Sequence, residues 1–133
     1  MIGIDTNVLV RHLTGIDEGD EVARAAAVLR SLTTTCPGYV TIIALLETWW
    51  VLGASYDVSA IERCNHINKM LRVRTLVFER RSAIIAALSA TAAGADFADA
   101  LIVAISAEEN CTEILTFDQR AAKRAEMTLI SSN

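Results

Sequence analysis

The sequence predicts an α/β protein in three layers, a central and mostly parallel sheet with helices on both faces. One observation carries this. Short apolar runs alternate with longer segments of helical period along the whole chain. That alternation marks parallel strands joined by crossover helices, which are right-handed almost by rule. The length of 133 residues suits one domain, 1–133, and no repeat, low-complexity tract or linker divides it.

The elements follow in order. MIGI is a short apolar strand that reads as buried, and VLVRHL after it is a helical turn. In EGDEVARAAAVLRSL, Val22, Ala25, Ala26 and Leu29 share one stripe of an amphipathic helix. Cys36-Pro37-Gly38 is a loop. YVTII is strand-like, and ALLETWWVLG continues as an apolar helix for which Gly53 offers an end. Trp49 and Trp50 are adjacent helical positions and cannot share a face, so at least one belongs in the core. Ser59 and Glu62 have capping-box spacing and open a helix through Met70. TLVF is a strand. RRSAIIAALSATAAG is a helix ending near Gly94, and ADFADALIVAISAEEN is another. EILTF is a strand, DQRAAKRAE a short helix, and MTLI the last strand.

Composition excludes several classes. No apolar run reaches the roughly 18 residues a membrane span needs, and no signal peptide is visible. Cys36, Cys64 and Cys111 fit neither a disulfide framework nor a zinc site. They read as reduced, mostly buried thiols of a cytoplasmic protein. Hydrophobic residues make up 53% and mean hydropathy is +0.38, so some apolar surface is expected to be covered by a partner or a second copy. Net charge is −4, which argues against a general nucleic-acid footprint. A local one remains open: Arg63, Lys69, Arg72, Arg74, Arg80 and Arg81 crowd one segment, as a solvated face or as phosphate contacts.

Most charges fall in three ordinary surface stretches, and a few acids stand apart. Asp5 is the only charge in the first ten residues. Glu47 is the only one between Cys36 and Tyr56. Asp96 and Asp99 are the only ones from Ser82 through Ala107, and Asp118 directly follows EILTF. Each has a structural reading. Asp5 could cap VLVRHL, although Asn7 looks better placed. Glu47, in apolar surroundings, needs a partner or a metal. Asp96 and Asp118 are natural N-caps, and Asp99 gains from a helix dipole. Taken together, Asp5, Glu47, Asp99 and Asp118 all fall at the carboxyl-end rim of a parallel sheet, where such folds bind ligands. Four carboxylates gathered without arginines would repel one another, and a hard divalent cation removes that problem. The bottom-up expectation is therefore a Mg²⁺ or Mn²⁺ site for phosphodiester chemistry, in which a bound metal activates water.

Competing chemistries fit less well. No G-x-S-x-G, Walker A or G-x-G-x-x-G occurs, and neither His12 nor His66 lies beside an obvious nucleophile. A phospho-acceptor receiver needs an acidic pair near the first strand and a lysine at a later strand end. Asp5 has no acidic neighbour, and the only lysines are Lys69 and Lys123. A D-x-D phosphatase needs an acid where Asn7 stands.

IDTNVLVR, the lone glutamate of LLETWWVL, GADFADALIVAIS and LTFDQRAAK resemble a PIN domain. More closely they resemble the VapC-type toxin ribonucleases of toxin–antitoxin pairs, in the right order over nearly the whole chain. The resemblance places the family's acidic quartet on Asp5, Glu47, Asp99 and Asp118. Asp96 becomes an additional acid, second-rank ligand or cap, and Thr6, Asn7 and Thr116 flank the pocket. It implies a Mg²⁺- or Mn²⁺-dependent endoribonuclease, a homodimer or higher assembly, and inhibition by a cognate antitoxin. Arg72, Arg74, Arg80 and Arg81 are the candidate RNA contacts. The alternatives are a non-catalytic PIN-like module binding RNA or protein, and a nuclease acting on DNA.

Overall fold

The computed structural model describes residues 1–131, which fall into two compact units, Met1–Glu79 and a second starting at Arg80. In the first unit the order is β1 (Ile2–Gly3), α1 (Thr6–Thr14), α2 (Glu21–Ser31), β2 (Gly38–Val40), α3 (Ile42–Tyr56), α4 (Ala60–Leu71) and β3 (Leu76–Phe78). The strands form one parallel sheet in the order β1-β2-β3, with Ile2 opposite Gly38 and Val40 opposite Phe78. The second unit holds α5 (Arg81–Ala92), α6 (Phe97–Glu108), β4 (Leu115–Thr116), α7 (Gln119–Arg124) and β5 (Thr128–Leu129). Here β4 and β5 pair in parallel, Leu115 opposite Thr128.

The core of the first unit takes one stripe from each helix. Leu9 and Val10 of α1, Ala25 of α2, Leu45, Trp49 and Leu52 of α3, and Ile67 of α4 are all buried. Ala25 is the centre of the stripe expected on α2. Gly38 lets neighbouring side chains lie close over β2: a Cβ there would stand 2.9 Å from the side chains of Ile4 and Leu32. In the second unit α5 packs on α6. Alanines at 83 and 87 flank Ile84 and Leu88 on the buried face of α5, and Phe97, Ala100 and Leu101 are the buried residues of α6.

Several expectations are corrected. The opening strand is only two residues long, and Ile2 is 47% exposed; burial begins at Ile4. A strand that short has little to cover its first side chain. YVTII divides, because Thr41 accepts the Ala44 N–H through its hydroxyl and so starts a helix that already contains Ile42 and Ile43. That helix passes through Gly53 and stops only at Asp57, in the left-handed region. Gly53 instead makes room for Arg63, whose guanidinium stacks over Trp49 at 4.2 Å and donates to its carbonyl at 3.2 Å. Trp49 is the core tryptophan; Trp50 is 65% exposed. Ser59 caps α4 as its spacing indicates, accepting the Glu62 N–H. The thiols are not mostly buried: Cys64 is, whereas Cys36 and Cys111 sit exposed in connections. No helix among the described residues is long and apolar enough to cross a membrane.

Candidate active site

Each unit carries its own set of the isolated acids. In the first, Asp5 occupies the N-cap position of α1 with extended backbone but without a side-chain cap bond. Asn7 lies inside the helix, which overturns its reading as the cap; it is exposed at the mouth of a small cavity between α1 and α2. The exposed Asp5 carboxylate is thus left for other work. Thr6, next to it, is buried, and its Oγ1 donates to Glu47 Oε2 at 3.1 Å. This hydrogen bond brings Glu47 to the residue after Asp5. Glu47 is not enclosed in apolar surroundings: α3 turns Ala44, Leu45, Thr48, Trp49 and Leu52 inward, and Glu47 lies on its open face.

In the second unit three acids line one polar cleft of about 490 Å³: Asp96, Asp99 and Asp118, with Arg120, Arg124 and the Gly94-Ala95 turn. Local chain geometry fixes each acid. Asp96 is the N-cap of α6 and accepts the Asp99 N–H on Oδ2 at 3.1 Å. Asp118 is the N-cap of α7, its Oδ1 accepting the Arg120 N–H at 2.8 Å and the Ala121 N–H at 3.3 Å. Thr116 Oγ1 accepts the Asp118 N–H at 3.0 Å and so fixes the turn that presents it. An ionised carboxylate has two oxygens and about four acceptor sites, so capping a helix and facing a cation are compatible roles.

Asp99 is the strained member. Burial pushes its carboxyl up from the ordinary value of 3.8, and the neighbouring charges of Asp96 and then Asp118 push it further. Sequence reasoning placed no arginine among these acids; the structure puts Arg120 and Arg124 in the same wall. Among the described residues neither forms an ion pair with the three aspartates, so the carboxylate repulsion stands. The signal for them was present, an i, i+4 pair on the helix that Asp118 caps.

The acceptors in the cleft are carboxylate oxygens, the type a hard divalent cation prefers, with no imidazole or thiol in the lining. Among the described residues no three of His, Cys, Asp or Glu gather closely enough to chelate one ion.

The candidate phosphate-contacting arginines separate. Arg72 and Arg74 are exposed on the turn from α4 to β3. Arg81 opens α5. Arg80 is already engaged, 2.9 Å from Glu109 and 3.5 Å from Glu108, and Arg63 is committed to Trp49. Arg80 thus meets two glutamates within its own unit while its side chain stays 36% exposed.

A family model for the PIN domain matches residues 2–127. A comparison with curated proteins finds no match.

Proposed function

The chain belongs to the PIN domain family, and we propose that it is a divalent-metal-dependent endoribonuclease, the toxin of a VapC-type toxin–antitoxin pair. PIN domains have a three-layer α/β/α fold, are typically nucleases and usually use divalent metals. The observation that carries the reading is the cleft of Asp96, Asp99 and Asp118, in which Asp99 is held above its ordinary value by burial and by the other two. A fold maintains such repulsion where the charges have a use.

The residues assigned to the work are Asp5 and Glu47 in the first unit and Asp99 and Asp118 in the second, with Asp96 in second rank. When bound, Mg²⁺ or Mn²⁺ supplies a water of lowered pKa and neutralises charge on the phosphate. The chain's own part is positioning. Thr6 holds Glu47 through its hydroxyl, and Thr116 holds the turn of Asp118. Asp96 fixes the first turn of α6 and with it the backbone of Asp99. Arg120 and Arg124 offer donors to a phosphate entering the cleft.

The test compares purified Asp5→Asn and Asp99→Asn with the parent on RNA in Mg²⁺ or Mn²⁺. Both variants should stay folded and lose cleavage. Undiminished cleavage by folded Asp5→Asn would sink the mechanism. Intact RNA in the presence of the parent protein would favour a binding module, and cleavage of DNA alone would move the substrate. The toxin role adds a cognate antitoxin, a homodimer or higher assembly with it, and a cytoplasmic setting. Ile61, Trp50 and Phe117, at 75%, 65% and 82% exposure, support the need for apolar cover. Co-expression with a small DNA-binding protein encoded beside it should relieve growth arrest if that protein is the antitoxin.

A further inference from the structure

A second cavity, of about 240 Å³, lies in the first unit between α1 and α4, lined by His12, Leu13, His66, Lys69, Met70 and Val73. His12 and His66 are the only histidines in the chain. Three observations set the cavity apart. Its wall contains no carboxylate, although the chain has 16 acids against 12 lysines and arginines. The cavity between α1 and α2 has Glu21 in its wall, and the cleft of the second unit has three aspartates. Among the described residues, the side chains of His12, His66 and Lys69 make no hydrogen bond or ion pair with the protein.

The simpler account is that basic residues sit where helices end. It covers His12 and Lys69, in the last turns of α1 and α4, where the helix dipole favours cations. It does not cover His66, which is midway along α4 and gains nothing from either terminus. Nor does it explain why all three face one space. Two imidazoles alone would also suit a transition metal, but the Lys69 ammonium in the same wall repels a cation. An anion, by contrast, finds an N–H on each ring in any protonation state and up to three donors on the ammonium. Leu13, Met70 and Val73 complete the wall with apolar side chains, of which Met70 is buried.

We propose that this cavity binds a phosphate group, held by His12, His66 and Lys69. Following α1, His12 is seven residues from Asp5, about 10 Å along the axis, so the site is separate from the Asp5–Thr6–Glu47 group. The phosphate can come from a strand of RNA crossing this face or from a free phosphate compound. Binding here does not depend on the chain being a nuclease.

The experiment uses the untagged full chain in EDTA at fixed pH and ionic strength, with imidazole C–H proton resonances as the readout. Inorganic phosphate is titrated first and an eight-nucleotide single-stranded RNA second, with chloride as the control. Both histidines should shift together and saturate, and Lys69→Gln, its fold checked by circular dichroism against the parent, should weaken binding roughly fivefold or more. Saturation by RNA at lower phosphate-group concentration than orthophosphate assigns the site to the strand; response to orthophosphate alone assigns it to a free compound. The proposal is overturned if neither probe moves both histidines beyond the chloride control, or if Lys69→Gln titrates like the parent. Because no metal is present, failure of cleavage and failure of this site are separate results.

Discussion

Asp118 is a helix cap and, in the function proposed, a metal ligand, and two substitutions at one position separate these roles. Asp118→Ala removes the acceptor for the Arg120 and Ala121 N–H groups. Loss of an N-cap costs about 1 kcal/mol. For a chain of this size that is a fall in Tm of about 4 °C. Asp118→Asn keeps an acceptor oxygen and loses only the charge: about 0.5 kcal/mol of dipole interaction goes, relief of the repulsion with Asp99 offsets part of it, and Tm falls by no more than about 2 °C. Chemistry reverses the ranking of the milder change. If the charge holds a cation, Asp118→Asn should lose at least about 100-fold in cleavage rate, the equivalent of about 2.7 kcal/mol of barrier. The assay pairs thermal melts in EDTA with single-turnover cleavage of labelled RNA in Mg²⁺, well below either Tm. Cleavage by Asp118→Asn within about threefold of the parent would refute the ligand role. Equal melts for the two variants would refute the cap.

Three further predictions follow the same geometry. Gly53→Ala places a methyl 2.6 Å from Arg63 Nη1 and must push the guanidinium off Trp49. It should therefore destabilise the parent, yet stabilise an Arg63→Met background by roughly 1 kcal/mol of helix propensity in urea melts; the same sign in both backgrounds would contradict the packing described. Because the folded-state pKa of Asp99 is raised, the native state holds the extra proton between the unfolded and folded values, and stability falls as pH rises through that window. Asp99→Asn should be more stable than the parent at neutral pH in EDTA, with the gain fading below the ordinary carboxylate value; a gain independent of pH would rule out this cause. Thr6→Val keeps the buried shape but removes the donor to Glu47, and should lower kcat/KM roughly tenfold with melts little changed; parent-like kinetics would show that Glu47 needs no such restraint.

What could be read from the sequence was what depends on local pattern. The stripe around Ala25, the Ser59 cap and the Asp96 and Asp118 caps are all set by neighbours within a turn, and all are found. What could not be read depends on contacts distant in sequence. Gly53 looked like a helix end because its reason for being glycine is Arg63, ten residues away on another helix. Arg80 looked free for phosphate because Glu108 and Glu109 are far along the chain. The isolated acids were visible because they interrupt apolar stretches. The Thr6 bond to Glu47 spans 41 residues and leaves no local trace.

The contrast between Trp49 and Trp50 has an optical consequence. One indole is shut in beneath a guanidinium, and the next in sequence stands in solvent. They are the only two in the chain, so its ultraviolet emission is a sum of one shielded and one open fluorophore. A soluble quencher such as acrylamide reaches only the second, and a protein covering the outer face of α3 would shift that part of the spectrum to the blue. Unfolding would release the first. Occupancy of the helix surface and integrity of the core are thus reported by neighbouring residues, in separable parts of one spectrum and without any added label.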